Sequence, residues 1–237
     1  MRKLFFIFLA ILLFTQNSFA GTGRADVYKI TIRQIAMCET GSTLSNCLNP
    51  VIIFTGNSAD IDIAATTAGA AAANLGSATA ATIGTAYTHM QIVMNRGMTI
   101  AAGTAETIFD GTRNCKTASG GAAGTKTSEA AGSASGDAGE QVLFAGVDGQ
   151  LPGSNAFSPV ATITSVSGKA NGRINEEEFF QWRVALTSPF IYDGIRNPNV
   201  QIAFSTEEAV GALSTSAEGG DDCLMFGAAP DVLITIN

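Results

Sequence analysis

A chain of 237 residues with a formal net charge of −7 and only 14% charged residues has a sparse, acidic surface. Such a surface repels phosphate backbones and excludes nucleic acid as a partner. The 46% hydrophobic content falls in patterned runs, which excludes a disordered chain, and the length suffices for a real core.

The first twenty residues read as an export signal. Arg2 and Lys3 precede the unbroken apolar run Leu4–Phe14, and Ser18-Phe19-Ala20 places small residues where a signal peptidase reads, which predicts cleavage after Ala20. The run falls well short of the roughly 20 apolar residues that a bilayer-spanning helix needs, and no later segment reaches that length, so no transmembrane segment is expected. The mature chain is then residues 21–237. Losing Arg2 and Lys3 takes its net charge from −7 to −9.

Val27–Arg33 alternates and is rich in β-branched residues, predicting a strand that continues through Ile35 to Cys38. Val51–Phe54 is a short apolar strand after Asn49-Pro50, and Ala59–Ile63 alternates again. Ala68–Leu75 has the composition of a short helix confined by Gly69 and Gly76. Tyr87–Arg96 is a strong strand with Met90, Ile92 and Met94 on one face and His89, Gln91, Val93 and Asn95 on the other; Met98–Ile100 extends it past a bulge at Gly97. Residues 110–140 are mostly Gly, Ala, Ser and Thr without an apolar period, and read as a long surface loop pinned by Cys115. Strand patterns resume at Gln141–Ala145, Val160–Val166, Phe180–Leu186 (ended by Pro189), Val200–Phe204 and Val232–Ile236. Many short strands with Gly, Pro and Asn turns predict an all-β fold. The expected form is a single disulfide-bonded β-sandwich with Greek-key-like connections and long Ala/Gly/Ser-rich loops, spanning residues 21–237.

The four cysteines, Cys38, Cys47, Cys115 and Cys223, are an even number in an exported chain and read as two disulfides. Cys38–Cys47 is the favoured pair because turn formers separate the two, leaving Cys115–Cys223. Their spacing contains no Cys-x-x-Cys and the single histidine is remote, so a metal site is disfavoured.

The acidic loop positions are candidate structural calcium ligands: Asp60 with Asp62, and Asp221 with Asp222, beside Asp148, Asp193 and Glu218. Calcium is the one cofactor considered. The stretch Asn171-Gly172-Arg173-Ile174-Asn175-Glu176-Glu177-Glu178-Phe179 resembles the second half of an EF-hand calcium loop. The first half departs from that family: Ser167 and Lys169 stand where it places acidic oxygen ligands, and a strand pattern precedes the loop in place of a helix.

No catalytic set emerges. His89 is the one imidazole available as a general base, and it falls on the mixed face of its strand. Gly132-Ser133-Ala134-Ser135-Gly136 puts Ala at the centre of what would be a nucleophile elbow. The expectation is therefore a non-enzymatic, exported structural or adhesive protein. It would act at the cell surface by assembly or binding, as a surface-layer, filament or matrix subunit. Self-assembly would use edge strands near Val27–Ile32 and Val232–Ile236. The alternative is a periplasmic or secreted module that binds surface glycans or calcium, and a hydrolase ranks last. The resemblance to bacterial surface β-sandwich subunits is one of fold only.

Overall fold

The computed structural model describes residues 20–65, 71–104, 108–109, 114–118, 130–131, 137–144, 162–164, 179–195, 199–213, 224–227 and 230–236. The export signal before Ala20, Cys223, Asp221, Asp222, Asp148, Glu218 and the EF-hand-like stretch before Phe179 lie outside them.

The described chain is nearly all strand. In order the strands are β1 (Ala20–Gly23), β2 (Ala25–Ile30), β3 (Ile32–Glu39), β4 (Val51–Thr55), β5 (Ile61–Asp62) and β6 (Ala71–Ser77). After a 3₁₀ turn at Ala78–Ala80 come β7 (Ala86–Asn95), β8 (Gly97–Ala102), β9 (Ile108–Phe109), β10 (Asn114–Cys115), β11 (Ala130–Ala131) and β12 (Gln141–Phe144). The remainder are β13 (Thr162–Thr164), β14 (Phe179–Ile191), β15 (Asn199–Ser205), β16 (Val210–Leu213), β17 (Leu224–Gly227) and β18 (Asp231–Ile236). They form a five-stranded sheet β13-β14-β7-β3-β4, two four-stranded sheets β12-β8-β2-β5 and β1-β16-β17-β11, a three-stranded sheet β18-β15-β6, and the pair β10-β9. All pairings are antiparallel.

The expected strand Val27–Cys38 is two strands. The chain leaves one sheet at Ile30 and enters the five-stranded sheet at Ile32. Its inward residues change parity across this bend, from Tyr28, Ile30 and Ile32 to Ile35 and Met37. The neighbouring strand also passes between these sheets, without a change of parity: β7 belongs to the five-stranded sheet and β8 to the other, with the break at Arg96. The Asn95 amide donates to the Thr31 carbonyl (3.0 Å), and the Arg33 Nε donates to Asn95 Oδ1, so the two bends lie side by side. Arg96 is fully buried at this corner, the largest of the enclosed side chains, and it is not without partners. One core joins the sheets. It draws Tyr28, Ile30 and Ile100 from one side, Ile35, Met90 and Ile92 from another, and Val200, Ile202 and Ile234 from a third.

Other expectations are corrected. Ala71–Ser77, overlapping the expected helix Ala68–Leu75, is strand β6 paired to β15. Helix propensity is a weak prior, and the hydrogen bonds offered by β15 override it in an Ala-rich segment flanked by glycine. Pro189 does not end β14. The register shifts between Ala185 and Phe190, and pairing resumes at Phe190 opposite Tyr87. Proline, lacking an N–H, is accommodated in this bulge, where no ladder donor is required. Within the expected surface loop, Cys115 and Thr117 are buried, and the Thr117 hydroxyl is bonded to the Ala102 backbone. Val27–Ile32 is no edge: β2 lies between β8 and β5, with Tyr28, Ile30 and Ile32 enclosed. Asp231–Ile236 does end a sheet, with its other flank against the bulge of β14. Among the described residues no helix is long and apolar enough to cross a membrane.

Candidate functional site

Asp60 and Asp62 lie beside β2, Asp62 in register with Lys29. Asp62 Oδ1 accepts from the backbone amides of Tyr28 (3.0 Å) and Ala64 (3.1 Å), and Asp60 Oδ1 accepts from the Thr31 hydroxyl (2.9 Å). Both carboxylates, with Glu140, raise the Lys29 pKa; the largest cause is the hydrogen bond from its ammonium to Glu140, at 2.6 Å. The pair thus already faces a cation and spends oxygen lone pairs on backbone and hydroxyl donors. Calcium needs six to eight oxygens, and these two residues offer few uncommitted ones. Among the described residues no group of three or more His, Cys, Asp or Glu gathers in a metal-holding arrangement.

His89 stands on β7 opposite Cys38 and Ala185, with its Nδ1 3.0 Å from the Thr88 hydroxyl. Burial lowers its pKa below the usual 6.5. The folded state therefore disfavours the imidazolium, and the unfolded chain takes up the proton first. This contribution to stability is fully present above pH 6.5 and is lost as pH falls from 6.5 toward the lowered folded value. The loss of melting temperature between pH 7.5 and pH 5 should be larger in the wild type than in His89→Gln; equal losses would refute this. The Thr88 hydroxyl is its described partner, and among the described residues no carboxylate hydrogen-bonds to His89 to complete a triad.

The most distinctive surface feature is the end of the five-stranded sheet where β3 finishes, β7 begins and β14 finishes. Three loops meet there: residues 40–50, residues 78–85, and the turn after Ile191. The Cys38–Cys47 disulfide closes the first (Cα–Cα 5.1 Å), as the sequence predicts. Within that loop the Ser42 hydroxyl donates to the Glu39 carbonyl and accepts from the Leu48 amide, while Asn49 donates to the Glu39 carboxylate. The Thr40 amide donates to the Ala86 carbonyl (2.9 Å), and the Gly84 amide to the Tyr192 carbonyl (2.9 Å). The Tyr87 hydroxyl accepts from the Thr82 amide (2.9 Å), and Asp193 caps its own turn by accepting from the Ile195 amide. Gly194 has a positive φ of 77°, a conformation that favours glycine, and it packs against the Ile83 side chain.

These backbones are fixed, yet their large apolar side chains face solvent. Of the eight exposed large hydrophobic residues among those described, five lie at this end: Leu44, Leu48, Ile83, Ile191 and Ile195, the last 86% exposed. Residues 40–50 and 78–85 carry no charge at all. Scattered exposed apolar residues are ordinary; these five share one end of the sheet, on loops tied by the hydrogen bonds above. The sequence reading missed this grouping, although the uncharged loops with isolated Leu and Ile were visible.

Cys115 is in a disulfide, and its expected partner, Cys223, lies outside the described residues. Comparison with known proteins finds no matching family model, no matching curated protein and no matching solved structure.

Proposed function

We propose that the chain is an exported, non-enzymatic structural or adhesive protein that acts at the cell surface by assembly or binding, with the disulfide-stapled loop end as its contact surface. The apolar cluster on rigid loops carries this reading. A surface ordered before contact loses little entropy on association. Export is supported by the leader pattern and by the Cys38–Cys47 disulfide, a bond that persists in oxidising compartments. Cleavage after Ala20 leaves Gly21 within β1, where a Cβ would collide with the Phe109 carbonyl oxygen, so the mature chain begins inside the fold.

The finer architecture is a single-domain, two-layer sandwich. The bends at Thr31 and Arg96 carry β3 and β7 of the five-stranded sheet into β2 and β8, giving one long layer; β15 and β16 thread the other. Non-consecutive neighbours, such as β3 beside β7 and β18 beside β15, give it Greek-key-like connections.

The test uses purified residues 21–237 in sedimentation velocity across a concentration series. Oligomers or filaments are expected, and the double variant Ile83→Asp/Ile195→Asp should remain monomeric with an unchanged melting temperature. A wild type that stays strictly monomeric at high concentration, or a variant that assembles as well as the wild type, would overturn the assembly reading.

A further inference from the structure

We infer that the loop end takes the same loop end of a second copy of this chain across a two-fold axis, so that assembly through it closes at a dimer. This rests on the reading of the loop end as a contact surface, and adds which partner it takes and where assembly stops.

Identical chains can meet in two ways. A patch that meets itself gives a closed pair, whereas a patch that meets a different surface gives a ring or an open filament. The second way needs a receiving surface elsewhere on the molecule. Beyond the loop end, the described large hydrophobic residues that face solvent are Ile52, Phe109 and Leu233, on β4, β9 and β18. Those strands belong to three different sheets, and Ile52 adjoins the stapled loop in sequence. Among the described residues there is thus no second apolar cluster to receive Leu44, Leu48, Ile83, Ile191 and Ile195. The surface of matching character is the loop end of another copy.

Charge points the same way. The chain is acidic, with 20 Asp and Glu against 13 Lys and Arg, so two copies repel wherever charged surfaces approach. Residues 40–59 and 71–88 contain no Asp, Glu, Lys or Arg, and two copies approach through them without that repulsion. Among the described residues, the charged groups on the strand ends and turns that frame the patch are Glu39 and Asp193. The Glu39 carboxylate accepts from Asn49 Nδ2 (2.8 Å), and the Asp193 carboxylate from the Ile195 amide (2.9 Å). Both are acidic, so they form no ion pair with their own counterparts in a second copy. The contact is then apolar at its centre with a weakly repulsive rim, and salt strengthens it by screening that rim. A contact built on opposite charges weakens in salt.

The experiment is sedimentation velocity of residues 21–237, alone and mixed with a fluorescently labelled Ile195→Asp chain. Ile195 is 86% exposed, so the change leaves the core untouched. The wild type should reach a dimer and go no further, and its dissociation constant should fall several-fold between about 50 mM and about 500 mM NaCl. The labelled variant should remain monomeric in the mixture, because a two-fold contact needs the apolar patch on both copies. In a head-to-tail assembly the variant keeps its receiving surface, and the wild type captures it. Ile83→Asp, at a position 68% exposed, takes its place if Ile195→Asp melts early. Capture of the variant, growth beyond the dimer or a dimer weakened by salt would each overturn the two-fold pairing while leaving the loop end as a contact surface. A monomeric wild type that floats with phosphatidylcholine vesicles, where the variant does not, would replace the second copy by a lipid surface. A wild type that stays monomeric and does not float would overturn both readings.

Discussion

Arg96→Ala should lower the unfolding free energy by about 3–5 kcal/mol, the range seen when one member of a buried charged arrangement is removed. Arg96 fills the corner where β7 passes into β8, fully enclosed and partnered. Alanine would open a cavity there and strip the groups around the guanidinium of their partner. Urea unfolding followed by Trp fluorescence gives the value from the shift in midpoint. A change under about 1 kcal/mol would mean that the corner is held by its backbone alone. Arg96→Lys should recover only part of the loss, because an ammonium lacks the planar fork of donors.

The second large effect is expected from Cys38→Ala/Cys47→Ala. Closing so short a loop removes entropy from the unfolded chain equivalent to about 2.5–3 kcal/mol. For a chain of this size that corresponds to a melting temperature lower by roughly 5–10 °C. The same variant releases the loop that presents Leu44 and Leu48, so assembly through this end should weaken even below the melting transition. Calorimetry with sedimentation velocity checks both. A melting temperature within 2 °C of wild type would contradict the expected stabilisation by the disulfide.

Much of the fold is legible in the residues. Met90, Ile92 and Met94 announce β7, and Val232–Ile236 announces β18, because apolar alternation follows directly from a sheet with one buried face. The bend at Thr31 was also written there, as the change of inward parity between Ile32 and Ile35, but one continuous strand-like pattern conceals it. Extending the spacing of Met90, Ile92 and Met94 by two more residues puts Arg96 inward, where it is fully buried. β6 was misread because alanine-rich sequence is compatible with helix, and only a partner distant in sequence, β15, decides between the two. Short strands such as β1, β9, β16 and β17 carry too few residues to display a period.

The candidate sites were less legible, and for a different reason. Asp60 and Asp62 looked like a ligand pair because acidity is visible in sequence, whereas the Lys29 ammonium that faces them is brought there by folding. The loop end joins residues 44, 83 and 195, which nothing local connects. The Cys38–Cys47 pair was readable because its closure is local.

The register of the terminal strands sets how the molecule would bear tension. Ala20 lies beside Leu213 at the end of β16, and Ile236 beside Val200 at the start of β15. A load applied along β1 or along β18 draws that strand lengthwise past its neighbour, so its ladder of hydrogen bonds resists in shear, all rungs together, instead of unzipping one rung at a time.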